Sequence, residues 1–93
     1  MSSERAYELG LVTRLAQPGD ALAEALALAT AIAANAPLAT VAAKAILDQS
    51  PGWPADEAWA RQRGIADPVI GSEDAREGAL AFAQKRPAQW HGR

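Results

Sequence analysis

The end of the sequence gathers the side chains best suited to chemistry. In the run SEDAREGALAFAQKRPAQWHGR, Ser72 to Arg93, the carboxylates of Glu73, Asp74 and Glu77 stand close together, Lys85 and Arg86 are adjacent, and His91 is the single histidine of the chain. Clustered carboxylates can share a proton or hold a cation. At a helix start, however, they answer the positive end of the backbone dipole, and no histidine or further acid supplies ligand spacing. His91 has neither a cysteine nor a Ser/His/Asp arrangement to work with, so it reads as a solvated tail residue rather than a base. Lys85 and Arg86 admit two readings. They are favourable cations at a helix C-terminus, worth a few tenths to about 1 kcal/mol each, or they meet a phosphate, for which Arg offers a fork and Lys a point charge. Composition alone leaves both open.

Other chemistries are excluded more sharply. With no cysteine among 93 residues there is no disulfide, thiolate metal site or thiol nucleophile. Gly19, Gly71 and Gly78 are isolated, with no G-x-G-x-x-G or Walker pattern, so no loop is built to cradle phosphates. Trp53, Trp59 and Trp90 read as anchors against a partner surface or a small core. Nine basic and eleven acidic residues leave a net charge of -2, which provides no field for nucleic acid or an anionic membrane. MSSERAYELG lacks the apolar centre of a signal peptide, and no apolar run reaches about 18 residues. These features lead us to expect a soluble, cytoplasmic protein.

The elements that would position these residues are mostly helical. Ser2 or Ser3 caps a short helix, Glu4 to Leu9, which Gly10 ends. Leu11 to Leu15, LVTRL, carries the one strand signal and is closed by Pro18-Gly19. A lone strand must find backbone partners elsewhere, and nothing else in the chain supplies them. Asp20 then caps a helix in which Leu22, Leu26, Ala29, Ile32 and Ala33 share a face, and Asn35 before Pro37 stops it. Pro37 opens a further helix, ending near Gln49, with Leu38, Val41, Ala42, Ala45 and Ile46 on its apolar stripe. After the turn SPGWP, Ala55 to Ala66 reads as a helix broken by Asp67-Pro68. Ser72 caps the last helix, where Ala75, Ala79, Phe82 and Ala83 line one side and Lys85 and Arg86 occupy the final turn. The expected fold is mainly α, one 93-residue segment of about five helices with an orphan strand near Leu11–Leu15. The apolar residues make up 49% of the chain but are largely alanine. At roughly 25 cal/mol per Å² such faces stabilise little alone and suit packing against something larger.

Taken in order, SSERAYELGLVTRL, the Asp20 helix with ANAPLATVAAKAIL, and SEDAREGALAFAQKRPAQWHGR resemble the C-terminal part of the enoyl-CoA hydratase/isomerase family, the crotonases. The most specific stretches are A-x-x-L-G-L-V, Ala6 to Val12, and SED-x-x-EG-x-x-A-F-x-x-KR-P, Ser72 to Pro87. The resemblance implies an N-terminal α/β region that holds the thioester oxyanion hole and catalytic acids, and a helical C-terminal region that drives trimerisation, commonly into hexamers. This chain would begin just past the catalytic region, Met1 being either a true start or an internal methionine used as one, and Leu11–Leu15 would be a strand separated from its neighbours. Hydration of a 2-enoyl thioester needs an oxyanion hole and a placed carboxylate. The family pattern puts neither on a residue here, so no catalytic residue, metal ligand or cofactor of the chain's own is expected. Contact is what carries over. By resemblance, Phe82 lines the acyl and pantetheine channel and Lys85 reaches the 3′-phosphate of coenzyme A across a subunit boundary, with Arg86 a weaker candidate. The expected partners are further copies of the chain or the N-terminal half, and weakly held acyl-CoA. The alternative is a stand-alone, non-catalytic helical assembly protein derived from the family.

Overall fold

The computed structural model describes all of residues 1–93. Five α-helices follow one another: α1 (Ser3–Glu8), α2 (Ala21–Ala33), α3 (Pro37–Gln49), α4 (Ala58–Ile70) and α5 (Glu73–Ala83), with a 3-10 turn at Ser50–Gly52 between α3 and α4. They fall into two compact units, Met1–Ile32 and Ala33–Arg93.

In the first unit, the Ser2 hydroxyl accepts the Arg5 N–H at 3.1 Å and starts α1. Gly10, with φ +73°, ends it in a Schellman turn, in which the Gly10 N–H donates to Tyr7 O and the Leu11 N–H to Ala6 O. The expected strand does not form. Leu11–Leu15 is irregular backbone, because a β-ladder needs a second strand and the chain contains none. Gln17-Pro18-Gly19-Asp20 closes the segment as a turn, with the Asp20 N–H donating to Gln17 O and Gly19 at φ +96°. That is the type II arrangement, which places proline second and glycine third. The loop, the start of α1 and the first turns of α2 border an open groove of about 810 Å³, across which Arg14 and Glu24 approach to 3.9 Å.

In the second unit α3 packs on α4, and α4 on α5. Ala58, Gln62, Ile65, Ala66 and Val69 are half-buried along α4 at helical spacing. The helix begins three residues later than Ala55 and runs through Pro68 to Ile70, so the expected break at Asp67-Pro68 is not realised. Pro68 sits two residues from the C-terminal end of α4, where it deprives only the Gly64 carbonyl of its donor. The helix end remains bonded through Gly71 N–H to Asp67 O and Ser72 N–H to Val69 O. Ser72 joins the two helices: its hydroxyl donates to Val69 O at 2.6 Å and accepts the Ala75 N–H at 3.1 Å as the N-cap of α5.

Candidate functional site

The last helix is where the residues singled out in the sequence meet, and it is organised by the tail that follows it. Asp74, Glu77, Gly78 and Ala81 recur at i, i+3, i+4 and i+7 and therefore share one face of α5. The tail lies on that face. Asp74 is 1% exposed, and its two carboxylate oxygens accept the His91 and Gly92 N–H groups at 2.8 Å each, while its own N–H donates to the Arg93 carbonyl at 2.9 Å. One turn on, Glu77 takes the Arg86 guanidinium bidentately, at 2.6 and 3.0 Å, and the Gln89 N–H at 2.8 Å. Hydrogen bonds from Arg86 and then from the Gln89 amide hold the Glu77 carboxyl down at about 2, against an ordinary value of 4.5, with partial desolvation opposing them. The same pairing raises the Arg86 guanidinium. Glu73 and Arg93 complete the series at 2.8 Å.

Gly78 makes room for the remaining contact. A Cβ there would lie 3.2 and 3.4 Å from two ring carbons of Trp90, so the indole rests against bare helix backbone. The Trp90 N–H donates to the Ala34 carbonyl, in the turn that follows α2, at 2.9 Å. Ala81, 3% exposed, is the single buried apolar residue of the chain. The acids of α5 are thus more than dipole chemistry: Asp74 and Glu77 are the receptors of the tail. The backbone of His91 is held while the residue stays exposed. No group of three His, Cys, Asp or Glu side chains converges to hold a metal ion.

Lys85 and Arg86 fall just past α5 rather than in its last turn. Gln84 is the C-cap, the Lys85 N–H donates to Phe82 O and the Arg86 N–H to Ala81 O, a second Schellman turn. Its left-handed position, glycine at α1, is Lys85 here, at φ +53° the one non-glycine residue with positive φ. That conformation costs an L-residue about 1–2 kcal/mol. Seven of the nine cationic side chains pair with a carboxylate within 4 Å. Lys85 and Arg76 are the two that do not. Phe82 is 88% exposed. The structure therefore places Phe82 in the last turn of α5 and Lys85 just past its cap, a bare ring and an unpaired ammonium, whereas Arg86 is taken by Glu77.

The chain matches enoyl-CoA hydratases along its whole length. A crystal structure of enoyl-CoA hydratase from Mycobacterium tuberculosis H37Rv superposes with a TM-score of 0.97 and 53% identity over 100% of this chain and 37% of that one. Enoyl-CoA hydratase EchA1 from Mycobacterium marinum does so with a TM-score of 0.96 and 52% identity, again over 37% of its length. This chain corresponds to the C-terminal helical part of the crotonase family. Among curated relatives, enoyl-CoA hydratase EchA19 of Mycobacterium tuberculosis is 38% identical over 93 residues, and carnitinyl-CoA dehydratase of Escherichia coli K12 is 38% identical over 97. The chain spans 35% and 37% of the length of those two relatives. No protein-family model matches it.

No local sequence pattern encodes the tail contacts. The signal that could have exposed them is Gly78, a glycine within a helix, where a residue without a side chain marks a close approach. Trp90, twelve residues on, is the group that makes it.

Proposed function

We propose that this chain is the assembly and coenzyme-A-contacting segment of a crotonase-type protein acting on acyl-CoA thioesters, by hydration of a 2-enoyl-CoA or a related reaction through an enolate. It performs no catalytic step itself. The observation that carries the assembly role is how much surface the chain leaves open, with many large apolar side chains on it. A folded monomer of 9.7 kDa exposes roughly 5,100 Å², whereas this one exposes 7272 Å². The excess, about 2,100 Å², is more than the roughly 800 Å² that each partner contributes to an ordinary interface. Leu22, Leu26, Val41, Leu47, Trp59, Ile70 and Phe82 are each more than half exposed. Side chains of this kind fit burial against further copies of the chain or against an N-terminal α/β region. Such a region would also supply the oxyanion hole and acid that hydration requires.

Contact with coenzyme A is assigned to Phe82 and Lys85. A bare aromatic ring suits the apolar acyl and pantetheine chain, and an unpaired ammonium nearby suits a phosphate. Light scattering tests the assembly role, with a trimer or larger as the expected result. A monomer that unfolds cooperatively would refute it. Titration with coenzyme A tests the contact. Weak binding is expected, lowered several-fold by Lys85→Ala and by Phe82→Ser, and equal binding by wild type and Lys85→Ala removes Lys85 from the site. No turnover of crotonyl-CoA is expected from the 93 residues alone.

A further inference from the structure

The chain makes the same helix-ending turn twice, after α1 and after α5. After α1 the left-handed position is Gly10, to which the conformation is free. After α5 it is Lys85, with a Cβ that disfavours it, and the backbone around it is fastened to the helix. Arg86, the next residue, forms two hydrogen bonds to Glu77, one to Gln84 Oε1 at 2.7 Å and one to the Pro87 carbonyl at 3.1 Å. Glu77 then takes Gln89 N–H, Trp90 lies against Gly78, and Asp74 takes His91 and Gly92. Both neighbours of Lys85 are thereby fixed, Gln84 as helix cap and bond partner of Arg86, and Arg86 in the fork of Glu77. The Lys85 side chain itself is left out of these bonds.

We propose that the tail bound along α5 is a positioning device, in which the Glu77–Arg86 pair holds Lys85 in its left-handed conformation and so presents its ammonium to a phosphate. Glu77 and Arg86 touch no ligand on this account. They act through the backbone of Lys85, and the proposal rests on the phosphate contact inferred above for that residue. A lysine standing where glycine would be free, and left without an internal partner, points to the side chain rather than the turn as the purpose of the position.

Two measurements on the full chain separate the two levels. The first is the intraresidue HN–Hα nuclear Overhauser effect of Lys85, which is strong only when φ is positive and needs no ligand. The second is the ratio of affinities for coenzyme A and 3′-dephospho-coenzyme A, which isolates one phosphate. Glu77→Gln, and the milder Arg86→Lys, which keeps the charge but loses the fork, are expected to weaken the Lys85 effect. Both should bring the affinity ratio several-fold closer to one. Glu77→Arg combined with Arg86→Glu should restore part of each. Arg76→Gln, which removes the other unpaired cation, should change neither.

If Glu77→Gln and Arg86→Lys both keep the Lys85 effect and the wild-type ratio, the pair does not position Lys85 and the proposal falls. If wild type shows no preference for coenzyme A over its dephospho form, the phosphate contact falls instead, and the proposal with it, while the ligand-free effect still reports whether the pair sets the turn. Should Glu77→Gln lose the dispersed amide resonances of α3 and α4, Arg86→Lys carries the decision.

Discussion

A carboxylate as deeply placed as that of Asp74 is stable only if its lone pairs are filled. Here each oxygen takes one tail amide, His91 at Oδ1 and Gly92 at Oδ2. Asp74→Asn keeps the shape but puts an NH₂ in front of one of those N–H donors, so a buried amide loses its acceptor. The variant is expected to be about 1–3 kcal/mol less stable, read from urea denaturation. Glu77 gives a pH signature. Its carboxyl is held at about 2 in the folded chain against an ordinary 4.5. A depressed folded value means that the stabilisation is complete above pH 4.5 and is lost as the pH falls towards 2. Melting midpoints of wild type and Glu77→Gln should therefore differ at pH 6 and converge across that window. A gap unchanged at pH 2 would mean that the charge of Glu77 is not what holds Arg86. At this scale the sequence is only partly readable. Phe82 and Lys85 are legible only through the family resemblance, as proposed contacts, and the roles of Asp74 and Glu77 depend on a tail folding back twelve to eighteen residues, which no local pattern encodes.

Helices are where local rules and packing agree best. Caps at Ser2 and Ser72, Pro37 at a first turn and Gly10 past an end are all local chemistry, and the structure uses each of them. Two of the departures have a common cause, because both depend on what lies alongside. LVTRL has strand composition without a second strand, and α4 crosses Pro68 because its half-buried side chains continue to Val69 while only one carbonyl is left without its donor. Ser72 carries the element-scale prediction. Its hydroxyl both ends α4 and starts α5, so Ser72→Ala should cost about 1–2 kcal/mol and should loosen the start of α5 first. Hydrogen exchange of the Ala75 and Arg76 amides reports the site, and unchanged protection there would argue that the Ser72 hydroxyl does not hold the start of α5.

For the molecule as a whole, alanine-rich faces pointed from the outset to packing against something larger, and Ala81 as the single buried apolar residue makes the point concrete. What covers these faces was not legible, because composition measures how much surface wants burial and not which surface meets it. No single helix is long and apolar enough to cross a membrane. If copies of the chain cover one another, the melting midpoint should rise with protein concentration, since association stabilises by mass action. A midpoint constant over a hundredfold range would speak against self-assembly.

The tail has a practical consequence as well. The acceptors buried on α5 are filled by backbone amides of His91 and Gly92, and the carbonyl of Arg93 takes the Asp74 N–H. A protease must draw its substrate out as extended backbone, and here the amides of Gln89, His91 and Gly92 are already engaged by the helix. Slow cleavage of this segment by a broad-specificity protease then becomes a direct reading of whether it lies closed on α5, and Asp74→Asn should be cut sooner.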